Sequence, residues 1–223
     1  MKGLRDGIGR NQAFQIEAMR FSLRAAEFSF ERVIGTAKYL EDISQVPDFL
    51  RVFALVTDCW SVVDTIKRSR EILLHVSGLK RKTDWVQDFL KATSAIEPFR
   101  NIMQHIATHI PTLSDQARPI MGAYSWIASS NSNQSHTVWF SASSQQHTVT
   151  SLPLDTWTKQ FAMDHMFSLD DREISLSAAI IACDEFSWNF ENWLSTEDYL
   201  SETEIGASII SFNISGMTER SKP

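Results

Sequence analysis

Apolar side chains recur at intervals of seven along the first third of the chain. Phe14, Phe21 and Phe28 run beside Ile16, Leu23 and Phe30, with Met19, Ala26, Val33 and Leu40 between and beyond them. That spacing predicts one long helix over 11–41 with a wide buried face. Pro47 and Asp48 are a helix start, and Phe49, Phe53, Val56, Trp60, Val63 and Ile66 carry a second helix toward Gly78. Thr83 and Asp84 offer a cap for a third. Along it Trp85, Phe89, Ala92, Ile96, Phe99, Met103, Ile106 and Ile110 alternate spacings of four and three. A fourth is expected from the Asp170–Asp171 pair to about Leu194, with Ile174, Ile181 and Trp188 seven apart, and Leu176, Cys183 and Phe190 likewise. Long helices with near-heptad faces and short joints predict a mainly α fold, an antiparallel bundle of four or five helices.

Between the third and fourth long helices the pattern changes. Residues 119–152 are poor in charge and rich in Ser, Thr and aromatics, and PIMGAYSWIA, HTVWFSA and QHTVTSL read as three short strands of a small β-meander. A short helix is expected after Asp155 (TWTKQFAMDHMF). Beyond residue 194 the chain is acidic and Ser/Thr-rich, with one apolar run (IGASIISFNI) that reads as a strand added to the same sheet. The expected organisation is one domain over 1–223, with a strand-rich insertion at 112–168 and an acidic tail at 195–223.

Composition narrows the class without changing that picture. At 43% hydrophobic and 22% charged residues, the chain is neither disordered nor fibrous. Its longest uninterrupted apolar run, Ala178 to Cys183, is far short of the about 20 residues of a membrane span. The first residues, MKGLRDGIGRNQ, lack an apolar signal core, so a cytoplasmic location is expected. Cys59 and Cys183 sit alone within apolar patterns and read as small buried hydrophobes. The net charge of −6 argues against a broad nucleic-acid coat. It is unevenly divided: residues 1–110 hold 16 Lys/Arg against 13 Asp/Glu, and the remainder 5 against 14. A basic cluster (Lys67, Arg68, Arg70, Lys80, Arg81, Lys82) therefore survives in an acidic protein. It reads either as a solvated helix end or as a polyanion contact.

The chemistry concentrates in EPFRNIMQHIATHIP, residues 97–111. If Ile96, Phe99, Met103, Ile106 and Ile110 face the core, Glu97, Asn101, His105 and His109 form a separate row at four-residue spacing, flanked by Arg100. Arg, Asn and His together suit a phosphodiester. The guanidinium clamps phosphate oxygens, the amide orients, and the imidazole moves protons near neutral pH. Pro98 removes a backbone donor one turn before Arg100. It reads either as a first-turn proline or as a bend that aims Arg100.

Arg100-Asn101-Ile102-Met103-Gln104-His105 resembles the R-N-x-x-x-H signature of the HEPN superfamily, all-helical bundles whose catalytic members are metal-independent endoribonucleases common among toxins and antiphage systems. The resemblance covers the motif closely and the helical framework loosely. It implies Arg100, Asn101 and His105 as catalytic residues and no cofactor. It further implies a homodimer in which two motifs face one cleft, an RNA substrate, and an antitoxin or regulatory protein as partner. Glu97, Gln104 and His109 would then line the substrate, and Lys67, Arg68 and Arg70 would guide it. The strand-rich insertion, the tail, His109 and Pro111 depart from the family's pattern and leave substrate and partner open.

Two other readings stand beside it. His105 and His109, one helical turn apart, could share a metal with Glu97 or His165. Alternatively the chain is a non-catalytic binding module, in which Tyr124, Trp126, Trp139 and Phe140 on the strands engage a protein or nucleotide, unless that face simply packs on the helices.

Overall fold

The computed structural model describes residues 2–41, 48–128, 135–140 and 165–204. The protein is mainly helical, with a small antiparallel sheet. Strand β1 (Lys2–Leu4) precedes α1 (Arg10–Leu40) and α2 (Phe49–Leu73). Three short helices follow: α3 (Asp84–Ala92), α4 (Ile96–Gln104) and α5 (Ile106–Asp115). Then come β2 (Ala123–Ile127), β3 (Ser135–Trp139), β4 (Met166–Leu169), β5 (Arg172–Ser175), α6 (Leu176–Thr196) and β6 (Leu200–Glu204).

Helix α1 lies antiparallel to α2. The Ser22 hydroxyl donates to the Thr65 carbonyl at 2.8 Å, and further along Arg32 pairs with Asp58 at 2.6 Å. It is also antiparallel to α6, where the buried Arg20 forks onto both carboxylate oxygens of Glu191. The same guanidinium donates to the Lys2 carbonyl, so β1 is fastened to the helices. Apolar residues of α1, α2 and α6 (Ile16, Leu23, Leu55, Val62, Cys183 and Phe190 among them) fill the core with essentially no exposure. At one end Phe186 meets Phe89 of α3 with ring centroids 4.5 Å apart. At the other, Trp60, Phe99 and Phe167 form a mutual aromatic contact that joins α2, α4 and the sheet. Both cysteines are free and buried, as their surroundings in the sequence predict, and burial pushes their thiols up.

One of the two expected apolar rows of α1 faces solvent. Ile16, Leu23 and Phe30 are buried, but Phe14, Phe21 and Phe28 stand exposed. Two rows offset by two residues are about 200° apart around a helix, so a single core cannot cover both. Ile181 and Trp188 on α6 are exposed for the same reason. The expected third helix is not continuous. It breaks after Ala92 and again at His105, so among the described residues three long helices and three short ones stand where four long ones were expected. Asp48 does cap α2, its carboxylate accepting from the Leu50 amide.

The sheet has the order β3-β2-β4-β5, all antiparallel, rather than that of a meander. Tyr124 stands opposite both Val138 and Phe167. Met166 and Phe167, expected in a helix, are strand residues, and the expected strand QHTVTSL lies outside the described residues. Asp170 and Asp171 form the β4–β5 turn, with Asp170 at φ 59°, so Ile174 belongs to a strand. Helix α6 starts one turn later, where the Ser175 hydroxyl accepts from the Ala178 amide. The strand-rich part thus begins after α5, beyond the expected 112, and extends past 168 through β5. The tail residues of β6 pair with β1 rather than with this sheet, while IGASIISFNI lies outside the described residues.

Candidate active site

Helix α2 carries Asp64, Lys67 and Glu71 at spacings of three and four, so they share one face. Helix α4 lies against that face in the opposite direction. Arg100 donates from Nε to Oδ1 of Asp64 at 2.7 Å, with the arginine side chain one-fifth exposed. One turn earlier, Glu97 accepts from the buried Lys67 ammonium at 2.9 Å, and Glu71 approaches the same ammonium at 3.5 Å. The bonded ammonium holds the Glu97 carboxyl below the usual carboxylate range. Arg70 turns inward and donates to the Leu90 carbonyl and the Thr93 hydroxyl, while its Nε is buried without a partner. Burial pulls its guanidinium below the ordinary arginine value.

The backbone sets the rest. Pro98 sits in the first turn of α4, where its missing N–H is not needed inside the helix, and the chain restarts one turn ahead of Arg100. Helix α4 ends at Gln104. His105 has φ −109° and ψ 26°; its amide donates to the Asn101 carbonyl, and its own carbonyl accepts from both the amide and the hydroxyl of Thr108. His105 is therefore a corner between two helices, not a position inside one. The corner divides the expected row. Glu97 and Asn101 belong to α4, His105 stands at the junction, and the half-buried His109 rides on α5, which carries Pro111 within it.

Asn101, Gln104 and His105 are exposed, and neither Asn101 nor His105 makes a side-chain hydrogen bond among the described residues. The structure thus brings Glu97, Arg100 and Lys67 together with Asp64 and leaves the amide and the imidazole free at the surface. Of the basic cluster, Lys67 and Arg70 are consumed by internal contacts, whereas Arg68, Lys80, Arg81 and Lys82 are exposed. Arg81 also donates to the Leu74 carbonyl near the C-terminal end of α2.

The other readings fare differently. Among the described residues no three His, Cys, Asp or Glu side chains converge as a shared metal would require. His165 is occupied elsewhere, hydrogen-bonded to Tyr124 and edge-on to Phe30. Tyr124 and Trp126 are buried, Trp126 donating to Glu41, so they belong to the packing between sheet and helices and not to an open platform. Trp139 and Phe140 are half-buried.

Asp64 is the site residue that sequence reasoning missed. Its signal was present: a carboxylate beside Val63, three residues before Lys67 and seven before Glu71 on one helix face. Nothing in the motif pointed to it, because it lies 36 residues away. Compared with models of known protein families, with curated proteins and with solved structures, the chain matches none.

Proposed function

We propose that the chain is a metal-independent endoribonuclease of HEPN type, its helices forming a variant of that bundle and its motif shared across a homodimer cleft. One observation carries the reading: Arg100 is fixed through one edge of its guanidinium by Asp64, one turn from an exposed imidazole at a helix corner. An arginine held through Nε keeps its terminal nitrogens available as a fork for phosphate oxygens.

The chemistry then divides among three side chains. His105 takes the proton of a ribose 2′-hydroxyl, and the 2′-oxygen attacks the adjacent phosphorus. The bond to the 5′-oxygen breaks, and that oxygen takes a proton from a second imidazole, supplied by the other copy. Arg100 stabilises the charge that grows on the non-bridging oxygens. Asn101 orients the substrate. The products are a 2′,3′-cyclic phosphate and a 5′-hydroxyl, so DNA is not a substrate. Gln104 and Arg68, both exposed, contact the RNA, while the chain's negative charge elsewhere keeps it from binding broadly.

The test is incubation with RNA in EDTA. Cleavage to cyclic-phosphate ends, abolished in His105→Ala, supports the reading; absence of cleavage, or cleavage indifferent to that substitution, removes it. The second reading, a non-catalytic module of the same architecture, is favoured by one fact: among the described residues the side chains of Arg100, Asn101 and His105 make no hydrogen bond to one another. RNA binding without cleavage would select it.

A further inference from the structure

The exposed face of α1 repeats every seven residues in two registers at once. Phe14, Phe21 and Phe28 are 55%, 76% and 60% exposed, an apolar ridge along three turns or more of helix. Next to it runs a second row at the same interval, Arg10, Glu17, Arg24, Glu31 and Lys38, all exposed and strictly alternating in sign. Trp188 of α6, 68% exposed, follows Ser187, which lines a shallow cleft with Arg24. Ile181, also exposed, precedes it by two turns of α6.

A lone exposed aromatic is ordinary; a ridge of three, with Trp188 and Ile181 also exposed on the neighbouring helix, is not. Its apolar area is on the order of 500 Å² per copy, near what one side of a standard interface buries once flanking stems are added. The sign pattern identifies the occupant. Parallel pairing with a second α1 about an axis along the helices would put the two charged rows on opposite sides of the ridge, where they cannot meet. Antiparallel pairing about a two-fold axis at Phe21 sets Phe14 against the partner's Phe28. It also brings Arg24 level, within one residue, with the partner's Glu17, and Glu31 level with the partner's Arg10. Arg10, Glu17, Arg24 and Glu31 of the row then each meet an opposite charge. A lipid surface would want a uniformly basic border, which this face lacks.

We infer that the outer face of α1, with Trp188 and Ile181 of α6, is a self-complementary docking surface for a second copy of this chain, paired antiparallel across Phe21. It is a different face from the one bearing Arg100, since α2 lies between α1 and α4. It therefore does not rest on the nuclease reading. Within one chain Arg24 leans on Glu27. Glu17 and Arg24 are two turns, or about 10.5 Å, apart along the axis, too far to pair with each other.

Sedimentation of the full chain over a range of concentrations, with helical content followed by circular dichroism, tests it. The wild type is expected to associate through α1 into dimers, or into tetramers where the motif cleft forms as a second interface, and Phe21→Glu to weaken the α1 step at least ~30-fold, as for a central interface aromatic, with helicity unchanged. Glu17→Arg and Arg24→Glu should each weaken the dimer, and the double variant should recover it. Only pairing between copies gives that rescue. A wild type monomeric at every concentration, or a dimer untouched by Phe21→Glu, overturns the inference. So does the absence of rescue. His105→Ala should leave the mass unchanged, so loss of cleavage and loss of the dimer are read separately.

Discussion

Arg100 and Asp64 meet at 2.7 Å through Nε and Oδ1, joining α4 to α2 at the centre of the candidate site. Asp64 is about half exposed and Arg100 one-fifth. The pair is thus partly screened and worth little as a stability element, and its consequence is orientation. Asp64→Asn removes the charge and loosens the guanidinium. It should lower RNA cleavage by about 10- to 100-fold, the scale of a small misplacement, while changing unfolding free energy by under ~1 kcal/mol. Arg100→Ala should cost about 10²–10³ in rate. Single-turnover cleavage alongside urea melts checks both.

His105 is exposed and engages its neighbours only through its backbone. Substituting it by alanine removes no packing and no capping side chain. Stability should stay within about 0.5 kcal/mol of wild type, and any loss of activity therefore reads as chemistry. A thermal melt and a cleavage assay on the same preparation decide it.

Glu97 titrates below its ordinary value because the Lys67 ammonium donates to it. For an acid with a depressed folded value, the stabilisation is present above its unfolded value of 4.5 and is lost as pH falls through the folded value. Glu97→Gln should therefore destabilise by under ~1 kcal/mol at neutral pH, since the carboxylate is half in solvent. The gap to wild type should close once the Glu97 carboxyl is protonated in the folded as well as the unfolded state. Urea midpoints at pH 7 and at progressively lower pH measure this, and a gap that persists in acid would assign the effect to packing.

Gly122 holds φ 84° at the entrance to β2. An added Cβ would come within 2.6 Å of the Ser168 carbonyl and 3.0 Å of the Phe167 ring. Both the backbone conformation and the space oppose a side chain. Gly122→Ala should cost about 2–4 kcal/mol and loosen β4 from β2, seen as faster amide exchange at Tyr124 and Phe167. Gly9, with nothing near its Cβ position, is the control and should tolerate alanine.

Much of the helical architecture was legible from the order of residues. The start of α2 followed from Asp48, whose carboxylate can reach an orphan amide two residues on. The fate of the cysteines followed from their apolar neighbours. These are local facts, decided within one or two turns. The strands around Tyr124 and Val138 were legible from their composition and turns, but their order was not. Which strand lies beside β2 depends on residues 40 or more positions away.

Periodicity fixed how side chains are arranged around α1, and left undecided which side of it the rest of the molecule would cover. Ile16 and Phe14 are equally apolar to any pattern; packing against α2 and α6 buried one and left the other in water. The motif was likewise visible as Arg100-Asn101-Ile102-Met103-Gln104-His105. That Arg100 answers to Asp64, that Glu97 answers to Lys67, and that His105 turns a corner are tertiary decisions. Each depends on groups some 30 residues distant or on the competing burial of two helix faces, and a linear spacing rule carries no information about either.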